Sequence, residues 1–232
     1  MVDYINARNN MVDGQIRPNN VYNSQLIKVL REVPREYFVP RSTRAMAYTD
    51  EDLPIGNGRY LIEPLIFSRL VEEADIRSDD IVLDIGCATG YSTVILAHLS
   101  TTVLAIDNHP DFVERATTLI AELEIENALV YHTDITKGYP EQAPYDIILI
   151  QGTVSDVPSQ EILNQLADNG RLVTVLKKSN ESMGKAHLFK RIGSTISNRI
   201  LFDANTPYLP GFEPKPCFNF LSTVTKRPLS AS

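Results

Sequence analysis

Two cysteines, Cys87 and Cys217, are all the thiols in the 232-residue sequence. They stand far apart with no metal-type spacing, which argues against a zinc site or a disulfide framework and for a cytoplasmic protein with free thiols. The four histidines, His98, His109, His132 and His187, form no ligand pattern, and each reads as an ordinary surface or edge residue. No apolar run is long enough to span a bilayer, and "MVDYINARNN" lacks the basic-then-apolar order of a secretory signal. Positive charge is short as well: 22 Lys and Arg face 29 Asp and Glu, a formal net charge of −7. Such a chain gains no overall attraction to phosphates, so neither nucleic acid nor a membrane is expected as a partner. Repeats and low-complexity segments are also missing.

What remains is the composition of a soluble globular protein, long enough for one sizeable core plus an extension. Residues 1–60 read as a mostly helical N-terminal extension packed on the core. In "SQLIKVLREV" the apolar positions Leu26, Ile27, Leu30 and Val33 follow the helical period, with Ser24 as the cap. Residues 53–58, "LPIGNG", read as a turn. Pro64 suits the first turn of a helix running through "LIFSRLVEEADI". Residues 61–225 read as one α/β domain. Strand patterns "DIVLDIG", "TVLAID", "NALVYHT", "YDIILIQG" and "GRLVTVL" alternate there with helical "YSTVILAHL", "DFVERATTLIAEL" and "SQEILNQLA". Apolar strands between amphipathic helices predict a doubly wound, mostly parallel sheet covered on both faces. "AHLFKRI" and "ISNRILFDA" predict an antiparallel hairpin at its edge, and "KRPLSAS" a frayed end.

The loop "DIGCATG" follows the first of these strands and opens a helix. Gly86 can adopt positive φ and has no Cβ to block a ligand, and Gly90 would let the helix start lie close to the sheet. Backbone N–H groups at that helix start favour a polar or anionic ligand group. Asp107 ends the next strand, roughly twenty residues on, where an acid accepts hydrogen bonds from both hydroxyls of a ribose. Taken singly, Gly86 could serve a tight turn and Asp107 could cap a helix; together they point to a nucleoside site. Dinucleotide sites favour G-x-G-x-x-G, but Ala88 stands at the second glycine and nothing supplies the third. Asp84 would repel a pyrophosphate, yet it could hold the ammonium of an amino acid, directly or through water. A ribose plus an amino acid is S-adenosylmethionine. A dehydrogenase is the remaining enzyme class, and the loop argues against it. On the ribose reading, Asp107→Ala weakens cofactor binding and leaves the fold intact.

The pattern D-x-G-x-x-x-G, strand, then Asp resembles the class I methyltransferase signature. That resemblance implies a seven-stranded Rossmann-like sheet. It also implies cofactor contacts from Asp84, Gly86, Cys87, Thr89, Gly90, Asp107 and Asn108, with Asp134 placed to meet the adenine amino group. "MVDGQIRPNNV", "VPREYFVP", "AYTDEDLPIGNG", "VLDIGCATGYSTVILA" and "LNQLADNGRLVTVL", in this order, resemble the protein-L-isoaspartate O-methyltransferase family over nearly the whole chain. The resemblance implies methylation of the α-carboxylate of isoaspartyl residues in damaged proteins, a repair activity on a protein or peptide acceptor. A carboxylate with a pKa of about 3.9 is already ionised at neutral pH, so such a site needs orientation and exclusion of water rather than a base.

The sequence departs from the family pattern in "GRYLIEP". Gly58 and Pro64 are kept, but Ile62 stands where the resemblance places a serine beside cofactor and acceptor. "HTDITKG" keeps Asp134 without its flanking glycines, which predicts a reshaped adenine pocket. Three readings follow. Tyr60 or Arg59 takes over the serine's role; the acceptor is a different, unknown small molecule, with Glu63 as base toward a hydroxyl or amine; or the chain is a non-catalytic cofactor-binding module. The plain reading of Glu63 is a first-turn helix carboxylate. "NTPYLPGFEP" either walls the acceptor site, as the resemblance implies, or packs as an edge loop.

Overall fold

The computed structural model describes residues 3–215, so Cys217 and "KRPLSAS" lie outside the described residues. The extension begins with α1 (Tyr4–Met11), capped by Asp3, whose carboxylate accepts the Asn6 N–H at 3.0 Å. In α2 (Ser24–Glu32) the cap is Asn23 rather than Ser24. The Asn23 backbone is still extended, so its Oδ1 reaches the N–H groups of Gln25 and Leu26, both at 3.0 Å, whereas Ser24 is already helical. Leu26, Val29 and Leu30 form the buried stripe of α2. A buried polar knot joins the extension to itself: Arg8 Nε donates to the Tyr48 hydroxyl at 2.9 Å, and that hydroxyl donates to Glu36.

Residues 53–58 do not form a simple turn. Leu53–Gly56 is a strand (β1) that pairs antiparallel with Arg59–Leu61 (β2) across a tight Asn57-Gly58 connection. Pro54 and Gly56 read as breakers in sequence. This little sheet has only two strands, both of them edges, so the missing donor of Pro54 interrupts no inner ladder. Asn-Gly is the dipeptide that tight hairpins select.

Next come α3 (Pro64–Ala74), β3 (Ile81–Ile85), α4 (Tyr91–Ala97), β4 (Thr102–Asp107), α5 (Pro110–Glu122), β5 (Ala128–His132), β6 (Tyr145–Val154), α6 (Gln160–Leu163), β7 (Leu166–Leu176), β8 (Lys185–Ile192) and β9 (Thr195–Asp203). The seven-stranded sheet runs β5-β4-β3-β6-β7-β8-β9, with β8 antiparallel to both β7 and β9 and every other pair parallel. This is the α/β architecture expected from the strand–helix alternation. The strands are apolar on both faces. Val82, Val103, Ile147 and Val173 face the core shared with α2, α3, α4 and α5, while Leu83, Ile106, Ile148 and Leu172 face the one shared with α6 and Leu209. Each fully buried side chain of this size contributes about 1.5–3 kcal/mol. The helix expected over "SQEILNQLA" shrinks to the single turn α6, capped by Ser159, because Leu166 already pairs with Tyr145 as the start of β7.

Candidate functional site

The strand order reverses at β3, which has β4 on one side and β6 on the other. In an open α/β sheet the crevice beyond the carboxyl ends of the strands at such a point is where ligands bind. Three parts of the chain meet there: the loop Gly86–Gly90, the acid at the end of β4, and the β1–β2 hairpin of the extension. A larger cleft of about 660 Å³ lies elsewhere, lined by Val154, Lys178 and Phe212 among others, and it contains neither the loop nor its acid.

The loop folds tightly on its own backbone. Gly86 has φ +77° and donates its N–H to Ile106 O at 2.8 Å, and Gly90 has φ +91° and donates to Cys87 O at 2.9 Å. Gly90 serves a purpose other than the one expected. A Cβ there would lie 3.0 Å from the Ala116 Cβ, so Gly90 lets α4 approach α5 rather than the sheet. Thr89 Oγ1 donates to Phe38 O at 2.7 Å, which ties the loop to the "VPREYFVP" segment. Cys87 is buried, and burial pushes its thiol well above the usual range, with Asp84 and Asp107 adding to the effect. It is not a reactive thiolate.

Both acids are fully buried and engaged by the chain itself. Asp84 accepts from Ser92 Oγ and Thr93 Oγ1, each at 2.7 Å, and from Gln151 Nε2 at 2.8 Å. Burial raises its pKa against the pull of those three bonds. Asp107 Oδ1 accepts the His109 N–H at 3.0 Å, while Oδ2 accepts the Ala88 N–H and Arg59 Nη1, both at 2.8 Å. Arg59 is only 4% exposed, and its other terminal nitrogen donates to Gly86 O. The guanidinium lies 5.8 Å from the centre of the Phe112 ring. Leu209, in "NTPYLPGFEP", is held by its N–H to Thr153 O at 2.9 Å, and its side chain lies over Gly86 and Gly152.

The remaining expected residues divide. Ile62 is 5% exposed and belongs to the core cluster; its carbonyl accepts from Arg35 Nη2 at 2.6 Å. Arg35 is itself fully buried against the Tyr91 ring. Ile62 and Tyr60 line a void of about 20 Å³ together with Gly86, Tyr91 and Gln151, so the structure does bring "GRYLIEP" to the loop. Tyr60 is 40% exposed. Asn108 is exposed, and its carbonyl lies 3.2 Å from His132 Nε2. Asp134 is exposed too, and it caps the turn Ile135–Lys137 by accepting from Thr136 N–H and Oγ1, which lowers its pKa. Sequence reading missed Arg35 and Gln151 and did not foresee that Arg59 and Leu209 would cover the loop. No spacing rule connects Arg59 to an acid 48 positions away; only the hairpin does.

Glu63 follows Ile62 and is half-buried. Loss of solvent, then the nearby carboxylates of Asp50 and Asp52, push its pKa up to about 7. Between its unfolded value of about 4.3 and about 7, the folded protein holds a proton that the unfolded chain has released, so this group's contribution to stability falls as pH rises through that window. Glu63→Gln should therefore flatten the decline of Tm from pH 4.5 to pH 7 relative to wild type. Parallel Tm–pH curves for the two proteins would refute the shift.

A family model described as Protein-L-isoaspartate(D-aspartate) O-methyltransferase matches residues 6–207. A protein-L-isoaspartate O-methyltransferase of Methanoculleus marisnigri is 37% identical over 166 residues, covering 72% of this chain and 75% of its own. One from Hahella chejuensis is 34% identical over 188 residues, covering 81% and 88%. A solved protein-L-isoaspartate O-methyltransferase superposes with a TM-score of 0.75 at 23% identity, over 87% of this chain and 65% of that one. A Plasmodium falciparum structure, described as a protein-L-isoaspartate O-methyltransferase in complex with S-adenosyl-L-homocysteine, gives 0.72 at 18% identity, over 90% and 99%. At these identities the two structural likenesses bear on the fold.

Proposed function

This chain belongs to the protein-L-isoaspartate O-methyltransferase family, and from that premise we propose that it transfers a methyl group from S-adenosylmethionine to isoaspartyl carboxylates of damaged proteins. The observation that carries the reading is the joint of loop and acid. Ala88 N–H sits 2.8 Å from Asp107 at the switch point of a seven-stranded sheet, within a match that runs from residue 6 to residue 207. The role is protein repair. A cytosolic setting suits it, and no described helix is long and apolar enough to cross a membrane.

The space directly beside Gly86 and Gly152 is filled by the chain itself, while a cavity of about 290 Å³ lies on the other side of Thr89, lined by Asn57 and Phe112. The voids beside Gly86 and Gly152 measure about 20 and 10 Å³, against the several hundred that ligand sites occupy. What the chain supplies is the surround. Asp107 is fixed by two backbone amides, Thr89 anchors the loop to the extension, and Ile62 and Tyr60 bound the space in front of Gln151.

The test is label transfer from S-adenosylmethionine to a synthetic isoaspartyl peptide, read as base-labile methanol and run beside the aspartyl peptide. Label in the isoaspartyl peptide alone is expected. Label in neither peptide, but in another acceptor from a lysate, would overturn the assigned substrate.

A further inference from the structure

Asp107, the acid placed to receive a ribose, is already engaged by the chain, with too few acceptor positions left to take both hydroxyls. Its two oxygens accept three hydrogen bonds, two from backbone N–H groups and one from Arg59 Nη1. The backbone pair fixes the carboxylate in place. The Arg59 bond is of a different kind, because it comes from the end of a long side chain on the β1–β2 hairpin. The same guanidinium closes on the Gly86 carbonyl, so it spans the mouth between loop and acid.

Leu209 closes the other side. A Cβ built on Gly86 would lie 3.0 Å from Arg59 Nη2 and 3.0 Å from both Leu209 methyl carbons, and one on Gly152 would lie 2.9 Å from the Leu209 Cβ. These are the bare backbone faces that a nucleoside would need. A glycine loop and a distal acid make a polar seat, and here the chain has seated its own guanidinium and isobutyl group in it.

We infer that Arg59 and Leu209 form a latch over the cofactor crevice, and that S-adenosylmethionine binds by displacing Arg59 from Asp107, its ribose hydroxyls taking the place of the guanidinium. The inference rests on the cofactor reading above and adds the residue that governs it. The geometry makes the exchange local. Arg59 can swing by side-chain rotation, while Asp107 keeps its two amide donors and stays oriented for the incoming hydroxyls. Leu209 is held by backbone hydrogen bonds on both flanks of Tyr208, from Thr153 N–H to Pro207 O at 3.0 Å and from Leu209 N–H to Thr153 O at 2.9 Å. Only its side chain need turn aside. Apparent affinity is then the intrinsic affinity multiplied by the fraction of open molecules, so a latch open in about one molecule in a hundred weakens binding about a hundredfold.

The test is titration calorimetry with S-adenosylhomocysteine on wild type, Arg59→Ala and Leu209→Ala, each checked for cooperative unfolding first. Arg59→Ala should bind at least about tenfold more tightly than wild type, and Leu209→Ala should shift the same way. Equal or weaker binding by Arg59→Ala would overturn the latch, the weaker result showing that Arg59 holds the ligand instead. If Arg59→Ala does not fold, Leu209→Ala decides, since it keeps the ion pair; unchanged affinity there overturns the proposal. Equal, tight binding by all folded proteins sinks the latch and leaves the cofactor reading standing. No binding by any of them sinks both.

Discussion

Asp107→Ala should cost the folded protein about 3–5 kcal/mol, the loss expected when one partner of a buried ion pair is removed. The Arg59 guanidinium is 4% exposed and Asp107 is fully buried, so the substitution strands a positive charge with the Gly86 carbonyl as its remaining acceptor. It also strips acceptors from the N–H groups of Ala88 and His109. The expectation drawn from the ribose role alone, that the fold survives the change, is thereby joined by a loss of stability. Urea titration should show a lower midpoint at unchanged slope. A loss below about 1 kcal/mol would show that the pair behaves as a solvent-screened one. The double variant Asp107→Ala/Arg59→Leu provides the internal check. Removing both charges leaves no stranded ion, so it should recover most of the loss. Arg59→Ala alone should be milder than Asp107→Ala, because the carboxylate keeps its two amide donors.

The second large effect is expected at Ile62. Wild type should methylate an isoaspartyl peptide tenfold to a hundredfold more slowly than an enzyme turning over at about 1 per second. A missing hydrogen bond to a charged group is worth about 1.5–3 kcal/mol, and Ile62 has no hydrogen to donate. Its side chain would also desolvate the acceptor carboxylate without replacing the lost water. Ile62→Ser should raise the rate by about tenfold or more, with the new hydroxyl beside the void lined by Tyr60 and Gln151. It should lower stability at the same time, by about 2–5 kcal/mol, since Ile62 is buried in the core cluster. Ile62→Val separates the two consequences. It trims the same side chain without adding a donor, and its rate should stay at the wild-type level. Wild-type turnover at about 1 per second or above would overturn the argument and point to half-exposed Tyr60 as the substitute donor.

Much of the frame is legible in the sequence. β3, β4, β5 and β6 are short, mostly apolar stretches, and α3 and α5 carry a helical period with proline in the first turn. Patterns of that length survive tertiary context because both faces of the sheet demand the same residues. Shorter signals did not. Pro54 and Gly56 hid β1, and Asn23 displaced Ser24 as the cap of α2, since a one-residue shift in where the helix starts decides which side chain reaches the free amides.

By itself the sequence determined the α/β class, the alternation of strands and helices from α3 onward, the glycine loop with Asp107 behind it, and the family whose motifs it carries. These are local or evenly spaced features, written in period and in short runs. Only the tertiary structure decided what fills the crevice. Arg59 reaches Asp107 because the β1–β2 hairpin folds over the loop, and Leu209 reaches Gly86 because a segment more than 120 residues downstream pairs with the end of β6. Side chains so far apart in the chain meet through packing, and the hydrophobic period that specifies packing records which residues are buried but not which partner each one finds.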